Sequence, residues 1–461
     1  MFKTRTMVLS AVFVSCFSGV ALAAVSTEEA AQLGKTLTPW GAEIAGNKEG
    51  SIPAYTGEVP KPPTTFKAGN GYWPDPYADE KPLFRIDSKN MSKYADKLSE
   101  GTKMLLQRYP DSYYLNVYPT HRPAMYPEWV QKNSIRNATG CKTSQEGMAV
   151  EKACRGGVPF PIPKTGNEVM WNALLAYNGD GSFHVKANRS WMVDAAGKPL
   201  LASEYRAWEE RPFWQGNQPG REDTDIAVRS ANVTLAPTRR AGEAFTLQDY
   251  LDPIKTERKA LTYTPGQRRI KGAPELSYDT PSAQTGGLSY YDEIYLFYGR
   301  MDRFDFKLIG KKEMYLPSNS YKVTQACGAP DQLLMAHHVN PECERWELHR
   351  TYQVNATLKP GMRHSQPKKT WYWDEDSLAV GLYDAWDQAG NLFRGGHSFG
   401  FVLYDQGFSY VPSTALYDFN KRGYTYNNES VSGNRGGYSY STKPVSDRDV
   451  NFESFVGSIL Q

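Results

Sequence analysis

The sequence predicts a mainly β protein of the α+β type: a large curved antiparallel sheet, covered by a few helices, with an extended N-terminal arm and an irregular C-terminal tail. Three observations predict it. Residues Trp346 to Leu358 alternate between apolar and polar side chains over 13 positions, strand–turn–strand patterns punctuated by Gly and Pro recur on both sides of that stretch, and only two segments show a helical period.

The chain opens on an export signal. Lys3 and Arg5 precede an apolar run from Met7 to Val20, and Ala21-Leu22-Ala23 offers the small-x-small pattern of signal peptidase. That run of 14 residues falls short of the roughly 20 that span a bilayer, so cleavage after Ala23 is expected rather than anchoring. Cys16, in Phe13-Val14-Ser15-Cys16, keeps lipidation as an alternative. Cleavage removes 23 of 461 residues and leaves 438, and the formal charge falls by two from +3 to +1. So balanced a charge argues against a nucleic-acid partner, which needs clustered Lys and Arg. No later stretch approaches 18 consecutive apolar residues.

Residues 24–85 read as the extended arm. Pro60-Lys61-Pro62-Pro63 and Trp73-Pro74-Asp75-Pro76 cannot sustain helix, and Trp40, Tyr55 and Trp73 are its candidate pegs on a neighbouring surface. Residues 86–461 then form one large β domain with a helical cover. Ser99 caps a short helix through Met104 to Leu106 that ends at Pro110. Thr165-Gly166-Asn167-Glu168 is a capping box that opens a second helix, through Val169, Met170, Ala173, Leu174 and Tyr177 to Asn178-Gly179.

From Phe183 the period becomes two. Turns are expected at Ala195 to Pro199, Pro265-Gly266, Gly310-Lys311 and Asp387 to Asn391. In the longest strand Trp346, Leu348, Tyr352, Val354, Ala356 and Leu358 share one dry face, opposite Glu347, His349, Thr351, Gln353, Asn355 and Thr357; the first six are the candidate cargo-cavity residues. Arg350 alone breaks the apolar side. Beyond residue 405 the Tyr-, Asn-, Ser- and Gly-rich tail suggests irregular packing over the sheet.

Four cysteines remain after cleavage, as Cys141/Cys154 and Cys327/Cys343, separated by 12 and 15 intervening residues. Three pairings are open; two local loops are the simplest, and an oxidising compartment fits them. A zinc site lacks its short Cys-x-x-Cys start.

Candidates for catalysis are weak. Gly396-His397-Ser398-Phe399-Gly400 matches a nucleophile elbow, but the residues after Ser398 alternate like a strand, and no His follows to complete the triad order. His337-His338 point to opposite faces if extended, so a polar loop is preferred over a metal cluster. Asp374-Glu375-Asp376 reads as a solvated turn. No cofactor or metal is expected. Arg239-Arg240 and Arg268-Arg269 are basic pairs suited to an anionic headgroup or an acidic partner, or are ordinary polar strand ends.

Several ordered stretches carry a resemblance: Leu33 to Glu43, Gly50 to Ala54, Tyr118-Pro119-Thr120-His121-Arg122, Pro159 to Pro163, Thr264 to Arg269, Trp346 to Arg350 and Ala356 to Gly361. Together they resemble an uncharacterised proteobacterial family known as outer membrane lipoprotein-sorting proteins, itself a domain of unknown function. The resemblance implies a LolA/LolB-like half-barrel. It also implies a non-enzymatic periplasmic binding or shuttle protein for a lipid-like or amphiphilic cargo, working with an exporter of the RND superfamily and an outer-membrane partner. Peripheral membrane contact and outer-membrane association would follow. The chain is more than twice the length of the small carriers. A scaffold that binds only proteins is the alternative, and only the carrier requires an accessible cavity. Export is expected to leave Ala24 as the first residue, which intact mass and N-terminal sequencing of the exported protein check; an acylated Cys16 would instead mark a lipoprotein.

Overall fold

A computed structural model describes residues 25–217, 224–273, 276, 278–327, 329–430 and 437–459; the expected signal with Cys16 and most of the glycine-rich stretch from Ser432 lie outside them. Short strands β1 (Phe84–Ile86) and β2 (Leu115–Val117) lead into a small hairpin, β3 (Thr143–Ser144) with β4 (Ala149–Val150). A first run of long strands follows: β5 (Ser182–Val193), β6 (Pro199–Glu210), β7 (Ile226–Ala236), β8 (Ala244–Tyr250), β9 (Lys259–Thr264) and β10 (Arg269–Gly272). A second run comprises β11 (Phe304–Pro317), β12 (Trp346–Leu358), β13 (Lys368–Asp374), β14 (Gly381–Trp386), β15 (Leu392–Leu403), β16 (Phe408–Asp418) and β17 (Gly423–Ser430), and β18 (Tyr438–Ser441) closes the series.

Both runs are antiparallel meanders. They join because β17 pairs with β5, giving one 16-stranded sheet in the order β1-β2-β12 through β17, then β5 through β10, with β11 on β12 and β18 on β5. A single parallel bridge, Trp346 to Val117, is the exception to the antiparallel pattern. The sheet does not close into a barrel.

The turns at Ala195 to Pro199, Pro265-Gly266 and Asp387 to Asn391 lie where the sequence places them. Gly310 does not turn the chain. It is a bulge with φ +139° inside the continuous strand β11, where the register on β12 shifts, and a glycine there bends the strand without ending it. Beyond residue 405 the described residues are regular rather than irregular: they form β16, β17 and β18 and the helices α6 (Asp447–Val450) and α7 (Phe452–Ile459). Tyr and Asn dominate these strands in place of aliphatic residues, which hides them from a hydropathy reading.

Among the helices, α1 (Thr27–Ala30) and α5 (Pro330–Leu333) are single turns. Helix α2 (Glu100–Arg108) begins at Ser99, whose Oγ accepts from the Thr102 amide at 3.1 Å. Helix α3 (Glu128–Gly140) has no side-chain cap and a mostly polar surface, so the sequence does not advertise it. Helix α4 (Gly166–Leu174) carries the expected capping box: the Thr165 side chain accepts the Glu168 amide, and Glu168 accepts the Thr165 amide. Its Val169, Met170 and Trp171 pack with Tyr352, Val354, Trp371 and Trp373, so α4 fills the face of β12 and β13. No helix among the described residues is long and apolar enough to cross a membrane.

The arm lies against the sheet. Trp40 packs on Tyr55 and Tyr126 with ring centroids 5.4 and 4.6 Å apart, and Trp73 donates to Asp405 at 2.6 Å beside Phe401. Disulfides join Cys141 to Cys154 and Cys327 to Cys343, the local pairing.

The first half of β12 is dry on both faces, while farther along Gln353 and Asn355 are half-buried and Thr357 is exposed. Glu347, His349 and Thr351 are as buried as their apolar neighbours, because residues 119–126 and the arm cover them. Arg122 makes that cover binding. It donates to Asp376 at 2.7 and 2.9 Å and to the Glu43 and Pro53 carbonyls. The run Asp374-Glu375-Asp376 is thus buried and ion-paired rather than a solvated turn. A buried carboxylate survives only with such partners, and removing one typically costs 3–5 kcal/mol.

Glu344 has no such cation. It accepts from Trp346 Nε1 at 2.9 Å, and its other oxygen has no partner. Burial pushes its carboxyl up to about 8, against those donors. The folded chain therefore holds a proton there, and the associated stability is fully present below pH 4.5 and lost as pH rises through about 8. Glu344→Gln is expected to raise the Tm near pH 9 and to leave it nearly unchanged near pH 5. The gap should be on the order of 3–4 kcal/mol, read by thermal denaturation across that range.

Candidate functional site

The principal cavity lies in the other half of the sheet, on the face of β5 to β9 opposite the C-terminal helices. Its volume is about 690 Å³, within the range of sites that enclose a small ligand. Two further cavities, beside α4, measure about 50 Å³ each. The pleat explains the lining. In β7, Ser230, Asn232 and Thr234 face the cavity, while Ala231 and Val233 pack with Phe452, Phe455 and Val456 of α7. In β6, Ser203, Tyr205, Ala207 and Glu209 face it, and small residues there leave the space open.

The back wall comes from the β17–β5 junction. Asn188 donates to the Tyr438 hydroxyl at 2.9 Å, Tyr438 donates to the Asn428 carbonyl at 3.1 Å, and Tyr205 bonds the Asn428 side chain. Asn188 is almost fully buried, and its side-chain oxygen has no partner. A buried acceptor in that state is uncommon. Burial, and for Tyr205, Tyr295 and Tyr410 also nearby Glu209, raises the phenols of Tyr205, Tyr295, Tyr410 and Tyr438, so each remains a neutral donor.

A segment from Ser282 to Tyr298 covers the cavity. Tyr295 and Leu296 both take left-handed backbone, with φ of +52° and +68°, a strained arrangement for two successive non-glycine residues. The kink sends Tyr295 to the cavity wall, where it donates to Glu209 at 3.2 Å, and Leu296 into the core beneath α4. What holds this cover is a buried ion network rooted in the second run of strands. Asp292 accepts from Lys369 at 2.8 Å and lies 3.0 Å from His364; Glu293 accepts from Arg394 at 2.9 Å, and Arg394 also reaches Asp418 at 2.9 Å. Burial pushes the Asp292 carboxyl up, but Lys369 and His364 outweigh it and hold it well below the usual range.

The cavity reaches one end of the sheet at the β7–β8 turn, where Arg239, Arg240 and Glu243 line it. Arg240 is clamped on Glu243 at 2.8 and 2.5 Å, while Arg239 is exposed. Arg268 and Arg269 do not line the cavity; they sit exposed on the adjacent β9–β10 turn. The β12 stripe lies elsewhere. Trp346 and Leu348 belong to the core with Met314 and Leu316, and Tyr352, Val354 and Ala356 to the core under α4, against which Leu358 packs. None of the six lines the principal cavity.

Ser398 is fully buried in β15, accepting the Gly381 amide at 2.7 Å and donating to the Gly381 carbonyl at 3.2 Å, so no substrate reaches it. His397 is buried beside Thr102, and burial lowers it to about 3. His338 bonds Ser112 and the Val339 carbonyl, whereas His337 stacks on Tyr109. His349, Asp374 and Asp376 come close enough to suggest a metal site. Each is already engaged, His349 between Glu347 at 3.2 Å and Asp374 at 3.3 Å, and Asp376 on Arg122. Burial lowers His349, but Asp374 and Glu347 lift it to about 10, so an imidazolium balances the carboxylates where a metal would need a neutral ring.

A family model described as a protein of unknown function, DUF1329, matches residues 85–455. The uncharacterised protein PA3922 of Pseudomonas aeruginosa is 38% identical over 401 residues, which cover 86% of each chain. Among solved structures, a DUF1329 family protein from Desulfovibrio piger aligns with a TM-score of 0.42 at 13% identity, over 63% of this chain and 97% of its own. A LolA superfamily protein from Nitrosomonas europaea, NE2245, aligns with a TM-score of 0.35 at 12% identity, over 62% and 97%. Lys369→Met is expected to leave Asp292 with His364 alone and to destabilise the chain by about 3–5 kcal/mol, with early hydrogen exchange across residues 282–298 as the specific readout.

Proposed function

We propose that this chain, which belongs to the DUF1329 family, is a periplasmic binding and carrier protein that holds an amphiphilic cargo in the cavity of β5 to β9 and performs no catalysis on it. The cavity carries this reading: about 690 Å³ between a sheet face and a strained cover, walled by tyrosines and by Ser, Thr and Asn side chains. Such a wall suits a cargo with a ring or chain portion stacked on the phenols and hydroxyl or amide groups reaching the polar side chains. The exposed Arg239 beside the clamped Arg240 suits an anionic end of that cargo.

The cargo is assigned to this half and not to the β12 stripe, because α4 and the arm already occupy the space over β12 and β13. The resemblance to lipoprotein-sorting proteins supports a route from an RND-type exporter to the outer membrane. Arg268 and Arg269 stand exposed on the neighbouring turn, at the same basic end of the sheet.

Native mass spectrometry of the exported protein, followed by organic extraction, tests this. A reproducible bound mass is expected, and Ser230→Trp, which fills the cavity from β7, should reduce its occupancy at least tenfold with the Tm preserved. An unchanged bound mass in Ser230→Trp would move the site elsewhere. A clean apo mass from several expression backgrounds, persisting after incubation with an envelope lipid extract, would overturn the carrier in favour of a protein-binding scaffold.

A further inference from the structure

Strand registers place the β5–β6, β7–β8, β9–β10 and β16–β17 turns at one end of the sheet. Val193 pairs with Pro199 and with Tyr424, Val233 with Ala244, Ala244 with Tyr263, and Thr264 with Arg269. Two of these turns touch, since a Cβ on Gly242 would lie 3.0 Å from Pro265. This end is basic. Lys198, Arg239, Arg268, Arg269 and Arg422 are exposed there, and none forms an ion pair among the described residues. The acids of the same turns are engaged: Asp194 accepts its own turn's amides, and Glu243 holds Arg240.

A second, independent feature coincides with the charge. Leu200 and Leu235 are 37% and 40% exposed at the same end, and Leu235 is the extra residue where the β6–β7 register shifts between Glu204 and Tyr205. A bulge re-aims the side chain it carries, here out of the sheet and into solvent beside the arginines. Met335, 39% exposed, lies in the loop whose Ala336 meets Gly197 of the β5–β6 turn. Cations interleaved with protruding aliphatic side chains are what an anionic lipid surface recognises: the charges find headgroup phosphates, and the aliphatic groups enter the acyl boundary.

We infer that this end of the sheet is a docking face for an anionic phospholipid bilayer. Docking there sets the Arg239 end of the cavity against the headgroups, so that a cargo passes between bilayer and cavity without crossing open solvent. The docking itself needs no cargo and is testable apart from it.

Co-sedimentation of the whole exported chain with vesicles of phosphatidylglycerol and phosphatidylcholine, against vesicles of phosphatidylcholine alone, tests the face. Binding is expected to the anionic vesicles, to weaken as salt rises, and to fall roughly a hundredfold when Arg239, Arg268 and Arg269 are all changed to Glu. Leu235→Ser is expected to weaken it severalfold, and Ser230→Trp, with its cavity filled, to bind like the parent. Thermal melts verify folding, and Lys198→Glu with Arg422→Glu is a second charge-reversed chain if the triple change does not fold. Equal binding to both vesicle types, no binding to either, or full binding by the charge-reversed chains would overturn the inference.

Discussion

The backbone ladder between β17 and β5 is the constraint on which the rest depends. Each run of strands is a meander that can form from local hairpins, but alone each leaves an open edge. Pairing Tyr424 with Val193, Thr425 with Met192 and Tyr426 with Trp191 removes two edges at once and fuses the meanders into one sheet. The register then shifts before Glu429 pairs with Arg189, and that irregularity brings Asn428 beside Tyr205, Tyr438 and Asn188. The back wall of the cavity is therefore a product of the junction, not of either meander. Residues that make it are separated by more than 200 positions in sequence, so it forms only when the whole domain does.

The two halves of this sheet put their faces to different uses. Over β12 and β13 the space is filled by α4 and by tryptophans, and the opposite face is sealed by a buried ion network around Arg122, Glu347 and His349. Over β5 to β9 small and polar side chains alternate with aromatic rings and leave a cavity, and the cover is suspended from Lys369 and Arg394 in the other half. Buried ion pairs add little net stability, because desolvation offsets their attraction. Their use here is geometric. Losing one partner strands a charge, so the cover and the arm each have a single position that satisfies every group.

Much of the local structure was legible. The capping box at Thr165 and the Ser99 cap are short-range chemistry, readable because the atoms that bond lie three residues apart. The β12 alternation located that strand to the residue, and the loop spacing of the cysteines anticipated the two disulfides. Strands β16 to β18 were missed because Tyr and Asn carry no clear hydropathy period, and Gly310 was mistaken for a turn because a bulge and a turn use the same residue. The cavity had a faint signal in Ser203-x-Tyr205-x-Ala207 and Ser230-x-Asn232-x-Thr234. A polar face in a strand usually meets solvent, and nothing local says that another segment will close over it.

By itself, then, the sequence determined the mainly β class, the starts of α2 and α4, the covalent loops and the family, because each depends on neighbouring residues or on ordered motifs. Only the tertiary structure decided which face is core, which is cavity and which charges are buried. Asp374 and Arg239 look equally solvated in the sequence, yet one is enclosed by the arm and the other stands free at a sheet end. Burial is a property of what packs against a residue from far along the chain, and no periodicity in a strand records its partner's distance or side.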